Sequence, residues 1–509
     1  AEGGTLNNNL TFEKVATVRG GNAADTFTLS GNTAFAGSID GGANLENAEG
    51  VRPDNTLDLS EYDPAVTLTY GADGPSWDIE NINDIVGNGT TTLALESGTN
   101  QWELTGAETG SVTTSPGTAA GGLFDRALTF SGVSALNGGS GEDTFKLTGN
   151  KAFTGAINGG GNTDTFDFTE FSTDTALDIS LGNHPAATVD LASFEVLEGH
   201  TPTQGDNTLR GAAGQAHTWT IDAENEGTVQ WVNNGQTFSV DFSGFGALSG
   251  GDRGDVFNVE GQGDITGTLR GGNQLDVLDF SQKEGAIELT VGQSTLGGTL
   301  SIADIESVIG HYGNEDNDTS TLEVSHNSTS NTWTLTDQRQ GLDAVDGVND
   351  GVLETSDGKR LYFSNFTTLQ GADHPDEFVF SGTARMDGTL DGGGNTNIVT
   401  ATGATQALSF TLREGGDADT YLQNINAVNA SAAYVHRLVG TNAATVAWTL
   451  DGEYRGELDS GLSFSGFKHL VGGSGEDTFT LTGDGRVEHI EGGGESDTLN
   501  LQQSNHAFQ

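Results

Sequence analysis

The chain runs to 509 residues, with 19 Lys and Arg against 72 Asp and Glu, a net charge of −53 and no cysteine. That balance argues against nucleic acid and anionic membranes as partners, since both need clustered Lys and Arg. The missing thiols remove disulfides, Cys-type zinc sites and thiol catalysis. The charge itself has two readings, solubility in salty water and divalent-cation binding, and they can coexist. Apolar residues are only 34%, and none of their runs is long enough to insert into a bilayer.

From the N-terminus, AEGGTLNNNL has neither a basic n-region nor an apolar h-region, so it is no signal peptide. At Gly20 a phrase opens, GGNAADTFTL, that returns at Gly138 (GGSGEDTFKL), Gly250 (GGDRGDVFNV), Gly371 (GADHPDEFVF) and Gly472 (GGSGEDTFTL). Weaker echoes begin at Gly41, Gly159, Gly271, Gly392 and Gly492, each at nearly the same offset from its phrase. A short period nested in a long one marks a solenoid. Residues 1–509 thus read as one continuous β-solenoid, with units at about 20–137, 138–249, 250–370 and 371–471 and a partial unit at 472–509. The last copy stops soon after it begins, as in a piece of a longer protein.

Within a unit, short alternating runs such as Thr26-Phe27-Thr28-Leu29 and Ile287-Glu288-Leu289-Thr290 are half-buried strands. Much of the glycine, 77 residues, falls in pairs at their ends, where tight turns need positive φ. Phe27, Phe145, Phe257, Phe378 and Phe479 share one repeat position and are expected to form a buried ladder. A tryptophan strand recurs at Trp102, Trp219, Trp333 and Trp448. Its faces, as in Trp333-Thr334-Leu335, turn Trp inward with Leu; the other use of such a row is a sugar-stacking track. A Phe step recurs at Phe130, Phe242, Phe363 and Phe464. An Ile/Phe-Glu step recurs at Ile79-Glu80, Phe194-Glu195 and Ile305-Glu306, with Ile425-Asn426 in the fourth unit. The segments Glu46 to Asp54 and Asp337 to Asp357 read as loops leaving the stack.

These features together predict an all-β chain, a right-handed parallel β-helix (solenoid). Its coils are of about 21 residues, grouped into repeats of about 100–120. A β-propeller would instead need four antiparallel strands per blade, and hairpin signals to join them.

The best chemical constellation is a set of stacked carboxylates. One coil apart, Asp143 lies over Asp164, Asp255 over Asp276 and Asp477 over Asp497. Carboxylates about 5 Å apart repel, and calcium would relieve this with carboxylate and carbonyl oxygens. The same aspartates can instead cap their own turns by accepting N–H groups, a role Asn397 could share. Calcium is the one cofactor the pattern suggests. A catalytic cleft is not expected: the cations are dispersed, and His184, His200, His311 and His326 lie in variable segments without a base-plus-electrophile grouping.

Asn331-Thr332-Trp333, Phe363-Ser364-Asn365-Phe366, Gly472 to Phe479, Ile157 to Phe168 and Glu306-Ser307-Val308 resemble the repeats of large secreted bacterial adhesins of the filamentous-haemagglutinin type, exported by two-partner secretion. The resemblance covers nearly the whole chain. It implies the rod or stalk of an extracellular adhesin or biofilm-matrix filament, secreted, not an enzyme, and contacting extracellular polysaccharide, a cell-surface glycan or another copy of itself. Gly138 to Phe145 and Gly472 to Phe479 also look like the calcium-binding nonapeptide of RTX proteins. In that family the turns run in tandem, whereas here they come as pairs one coil apart. The alternatives are a polysaccharide-active β-helix lyase or epimerase and a self-assembling surface filament.

Overall fold

Alternation decides the local structure. In Thr144–Leu147 the side chains of Phe145 and Leu147 are buried while Thr144 and Lys146 lie between interior and solvent, the period of two that a strand imposes. The computed structural model describes residues 3–6, 10–13, 15–32, 35, 37–42, 54–70, 78–114, 127–149, 153–171, 178–181, 193–200, 206–291, 301–311, 319–324, 330–337, 348–355, 358–412, 420–442 and 445–505. Among them there is no α-helix, and the regular structure is strand, three to twelve residues at a time. Residues 46–53, 338–347 and 356–357 of the two expected loops, and His184 and His326, lie outside the described residues.

The chain divides into two compact units. One holds Ala1–Trp219, Asn225–Asp252 and Ile265–Gly267; the other holds Thr220–Glu224, Arg253–Asp264 and Thr268–Gln509.

In the first unit, parallel strands stack so that Phe27 pairs with Leu57, Leu57 with Ile85 and Ile85 with Phe130. A second column runs Trp102, Phe145, Phe166, Leu197, Phe242. The second unit has several such columns. They include Phe257, Leu278, Val308, Phe363; Trp333, Phe378, Val399, Val428, Phe464; Trp448, Phe479, Leu499; and, in another sheet, Leu289, Leu322, Leu369, Leu390, Leu422.

The expected phenylalanine ladder is therefore corrected. Phe145, Phe257, Phe378 and Phe479 are buried, but each stacks on the residues of its own column and not on the others. Phe27 is only half-buried. The tryptophans Trp102, Trp219, Trp333 and Trp448 are all in the core, at most 1% exposed.

The uniform coil length is corrected too. The expected step holds from Thr144 to Thr165, but the next one, to Val196, is longer, and the one after that, to Asp241, is longer still. The longest steps contain strands that the sequence pattern does not announce. In the first copy the chain turns back on itself, Asn100–Gly106 pairing antiparallel with Thr109–Thr114, and that strand antiparallel with Leu128–Gly139. The same meander joins Thr332–Thr336, Gly351–Glu354 and Arg360–Ser364, and again Ala447–Gly452, Arg455–Leu458 and Ser463–Ser465. Part of the expected loop Asp337 to Asp357 is thus the middle strand of a meander.

The hairpin of Glu226–Asn233 and Gln236–Ser243 closes through Asn234 (φ 51°) and Gly235 (φ 80°), the two positive φ values of a type I′ turn. Each meander packs its tryptophan edge-on against the phenylalanine of its last strand: Trp102 on Phe130, Trp219 on Phe242, Trp333 on Phe363 and Trp448 on Phe464, with centroids 5.9–6.1 Å apart. Trp102, Trp333 and Trp448 then stack face to face on Phe145, Phe378 and Phe479. Such pairs add about 0.5–1.5 kcal/mol beyond the area they bury.

Candidate functional site

Two residues before the column residue of these rungs, the chain turns inward with a short polar side chain. Asp143, Asp164, Asp255, Asp276 and Asp477 are at most 1% exposed; Asp497 is exposed. The structure brings the three expected pairs together, in a different manner from facing carboxylates. The amide of Asp143 donates to Oδ1 of Asp164 (2.9 Å), that of Asp255 to Asp276 (2.7 Å) and that of Asp477 to Asp497 (2.9 Å). The carbonyl of the first residue accepts the next rung's amide, as in Thr165 to Asp143 and Val277 to Asp255. Each side chain thus bridges one rung to the next beside the ordinary ladder.

The ladder is longer than the sequence pairs. Upstream, the amides of Asn100, Asn331 and Val446 donate to Oδ1 of Asp143, Asp376 and Asp477. Downstream, the amides of Asp164 and Asp276 donate to Glu195 and Glu306, and that of Asn397 to Asn426. These three are the Ile/Phe-Glu step, whose role the sequence did not disclose. The first copy also has a pair, Asp25 donating to Asn55 at 2.9 Å. Its partner lies further along the chain than in the other copies, because residues 43–53 separate the stacked glycines, Gly20 and Gly41, from the strand that follows. In that copy the third rung is Asn83, whose amide donates to the carbonyl of Asn55; Ile79 instead pairs with Ile39.

The second carboxylate oxygen is held differently from copy to copy. On the first rung, Oδ2 of Asp25, Asp376 and Asp477 accepts an amide of its own turn, from Gly21, Ala372 and Gly473, whereas Oδ2 of Asp143 is shielded from solvent without a hydrogen-bond partner. The first three carboxylates thus cap their own turns. On the second rung the five equivalent residues are Asn55, Asp164, Asp276, Asn397 and the exposed Asp497. Asn55 Nδ2 donates to the carbonyls of Gly41 and Asn81, and Asn397 Nδ2 to those of Gly394 and Asn424. A Cβ added to Gly41 would strike Asn55 Nδ2 and the Asn81 carbonyl; one added to Gly392 would strike Asn397 Nδ2 and the Asn424 carbonyl. At Gly159 the same place is bounded by Asp164 Oδ2 and the Ser193 carbonyl, and at Gly271 by Asp276 Oδ2 and the Asp304 carbonyl.

In Asp164 and Asp276, then, an oxygen stands where asparagine places an N–H donor against a backbone carbonyl. These Oδ2 atoms are shielded from solvent and accept no hydrogen bond. An ionised oxygen there opposes a carbonyl lone pair, whereas a protonated one donates as asparagine does. Burial pushes both groups up to about 7, with neighbouring carboxylates, Asp143 and Glu195 for Asp164 and Asp255 and Glu306 for Asp276, acting in the same direction. Asp143 is pushed up to about 6, again by burial, and held back by its hydrogen bonds from Asn100.

Calcium at these turns would need several oxygens to converge. Among the described residues, no group of three acidic or histidine side chains that includes any of the six aspartates brings its ligand atoms within 4.8 Å of one another. The arrangement can hold a proton at Asp164 and Asp276, and tie adjacent rungs through backbone amides. No protein-family model matches the chain, and no curated protein matches it.

Proposed function

We propose that the chain is a right-handed parallel β-helix that forms the rod or stalk repeats of an extracellular bacterial adhesin or biofilm-matrix filament. The observation that carries this reading is the rung-to-rung bond from a main-chain amide to an Asp or Asn side chain, present in all five copies. A device repeated five times in one orientation strengthens a stack along its length, the requirement of a spacer under load. A single catalytic pocket needs no such repetition.

The tryptophan row supports the same view. Its side chains are consumed by the core, so they offer no platform for stacking sugar rings. The interior carboxylates meet backbone amides and carbonyls of their own and neighbouring rungs, an arrangement of structural bonding and not of acid–base chemistry on a bound polymer. The acidic exterior keeps such a filament soluble and suits contact with neutral glycans, or with another copy through its sides or loops.

Two measurements test the proposal. Small-angle scattering of the purified chain should give the profile of a rod, and a globular profile would end the β-helix reading. Incubation with acidic polysaccharides should leave their chain lengths unchanged while co-sedimentation with polysaccharide or bacterial cells retains the protein. Shortened polymer would move the chain to the lyase class.

A further inference from the structure

Near the end of the second unit, Phe467–Val471 pairs in parallel with His489–Glu491, and the register sets His469 directly opposite His489. Glu491 is two residues beyond His489, so the strand's period returns it to the same face. The imidazole and carboxylate ligand atoms of His469, His489 and Glu491 all lie within 4.8 Å of one another. His469 Nε2 is 3.5 Å from a Glu491 carboxylate oxygen, is shielded from solvent and has no hydrogen-bond partner. The two imidazoles meet edge to face with centroids 4.5 Å apart.

A tetrahedral zinc ion with bonds near 2.0–2.1 Å holds its ligand atoms about 3.3 Å apart, close to the separation His469 and Glu491 already show. The other charged groups nearby partly balance. Lys468 is paired with Glu488 at 3.0 Å. Arg437, opposite His469 on the preceding strand, is a cation that opposes a metal ion here.

We propose that His469, His489 and Glu491 form a binding site for a divalent transition metal of the zinc class, joining two successive strands. Two imidazoles and a carboxylate are zinc, nickel or cobalt ligands; calcium and magnesium prefer all-oxygen sets. Three protein ligands leave a fourth position for water or for a donor from outside the chain. The proposal is independent of the adhesin reading. The spacing of His469 and His489 equals the offset of the last glycine pair, Gly472 to Gly492, so the sequence does carry the signal.

The test is isothermal titration of the tag-free chain with zinc chloride, and with cobalt followed by its visible absorption. One zinc should bind, with affinity reduced by at least about tenfold in His489→Ala and in His469→Ala. Saturating calcium should not compete. His489 is exposed and Ile490 keeps its place, so His489→Ala leaves the strand's packing intact; Glu491→Gln is a second variant that preserves shape and should also weaken binding. Zinc isotherms identical in the wild type and in His489→Ala, or zinc displaced by equimolar calcium, would overturn the proposal and assign the metal to the general acidic surface.

Discussion

The amide of Asp143 donates to the carboxylate of Asp164, 21 residues further along the chain, at 2.9 Å. It is a side chain acting as an extra backbone acceptor. A hydrogen bond to a charged or polar acceptor of this kind contributes about 1–3 kcal/mol when both partners are buried. Removing the side chain also strands a buried amide. Asp164→Ala should therefore destabilise strongly and Asp164→Asn hardly at all, as read from urea midpoints. An equal loss in both variants would show that charge, and not the acceptor and donor geometry, matters at this position.

Asp164 and Asp276 make stability depend on pH with a defined sign. Unfolded, these groups titrate at about 4. Folded, they titrate at about 7. Between those values the folded chain binds more protons than the unfolded one, so stability falls as pH rises through the window and levels off above it. The double variant D164N/D276N carries the donor hydrogen at every pH. Its stability should change less between about pH 5 and about pH 8 than that of the wild type. An identical fall in both proteins would place the pH dependence elsewhere.

A calcium ion beside the Ser193 and Asp304 carbonyls would have to displace the proton from Asp164 and Asp276. With the proton there, calcium and magnesium at equal ionic strength should raise the melting temperature equally, by screening the acidic surface. Differential scanning calorimetry decides the matter. A calcium-specific rise that disappears in D164N/D276N would establish the ion at Asp164 and Asp276 instead.

The aromatic columns give a graded series. Phe145→Ala should cost about 3–5 kcal/mol, because the ring is fully buried between Trp102 and Phe166. Phe27→Ala, at a half-buried position of the same repeat phrase, should cost clearly less. Equal costs measured by denaturant titration would contradict the burial difference between the copies.

Two glycines separate strain from crowding. At Gly235 nothing lies near an added Cβ, so Gly235→Ala carries only the penalty of its positive φ, about 1–2 kcal/mol. At Gly159 an added Cβ would meet both Asp164 Oδ2 and the Ser193 carbonyl, and Gly159→Ala should cost more. A milder effect at Gly159 would mean that the turn yields readily.

Much of the architecture is legible in the residues because two periods report it directly. Alternation marks the strands, and the glycine phrase with its echo marks one rung-to-rung step. The Asp143, Asp255 and Asp477 pairings follow from that offset alone. The Asp25–Asn55 pair does not, since residues 43–53 change the spacing and Asn replaces Asp. The meanders escape for a related reason. Their antiparallel strands share the alternation of the parallel ones, so periodicity cannot distinguish them; the Asn234-Gly235 dipeptide is the local sign. The place for a proton on Asp164 is invisible in a single copy and emerges only when the second-rung positions are compared in space.

The meanders also bear on how such a chain can assemble. A hairpin closed by Asn234 and Gly235 joins neighbours in sequence and can form in about 1–10 μs, whereas each parallel step must first close a far longer loop. Meanders recur from repeat to repeat, and each carries a tryptophan already seated on a phenylalanine. Growth of the stack can therefore start at several separated seeds rather than from one end, and a long chain need not wait for its first repeat before organising its last.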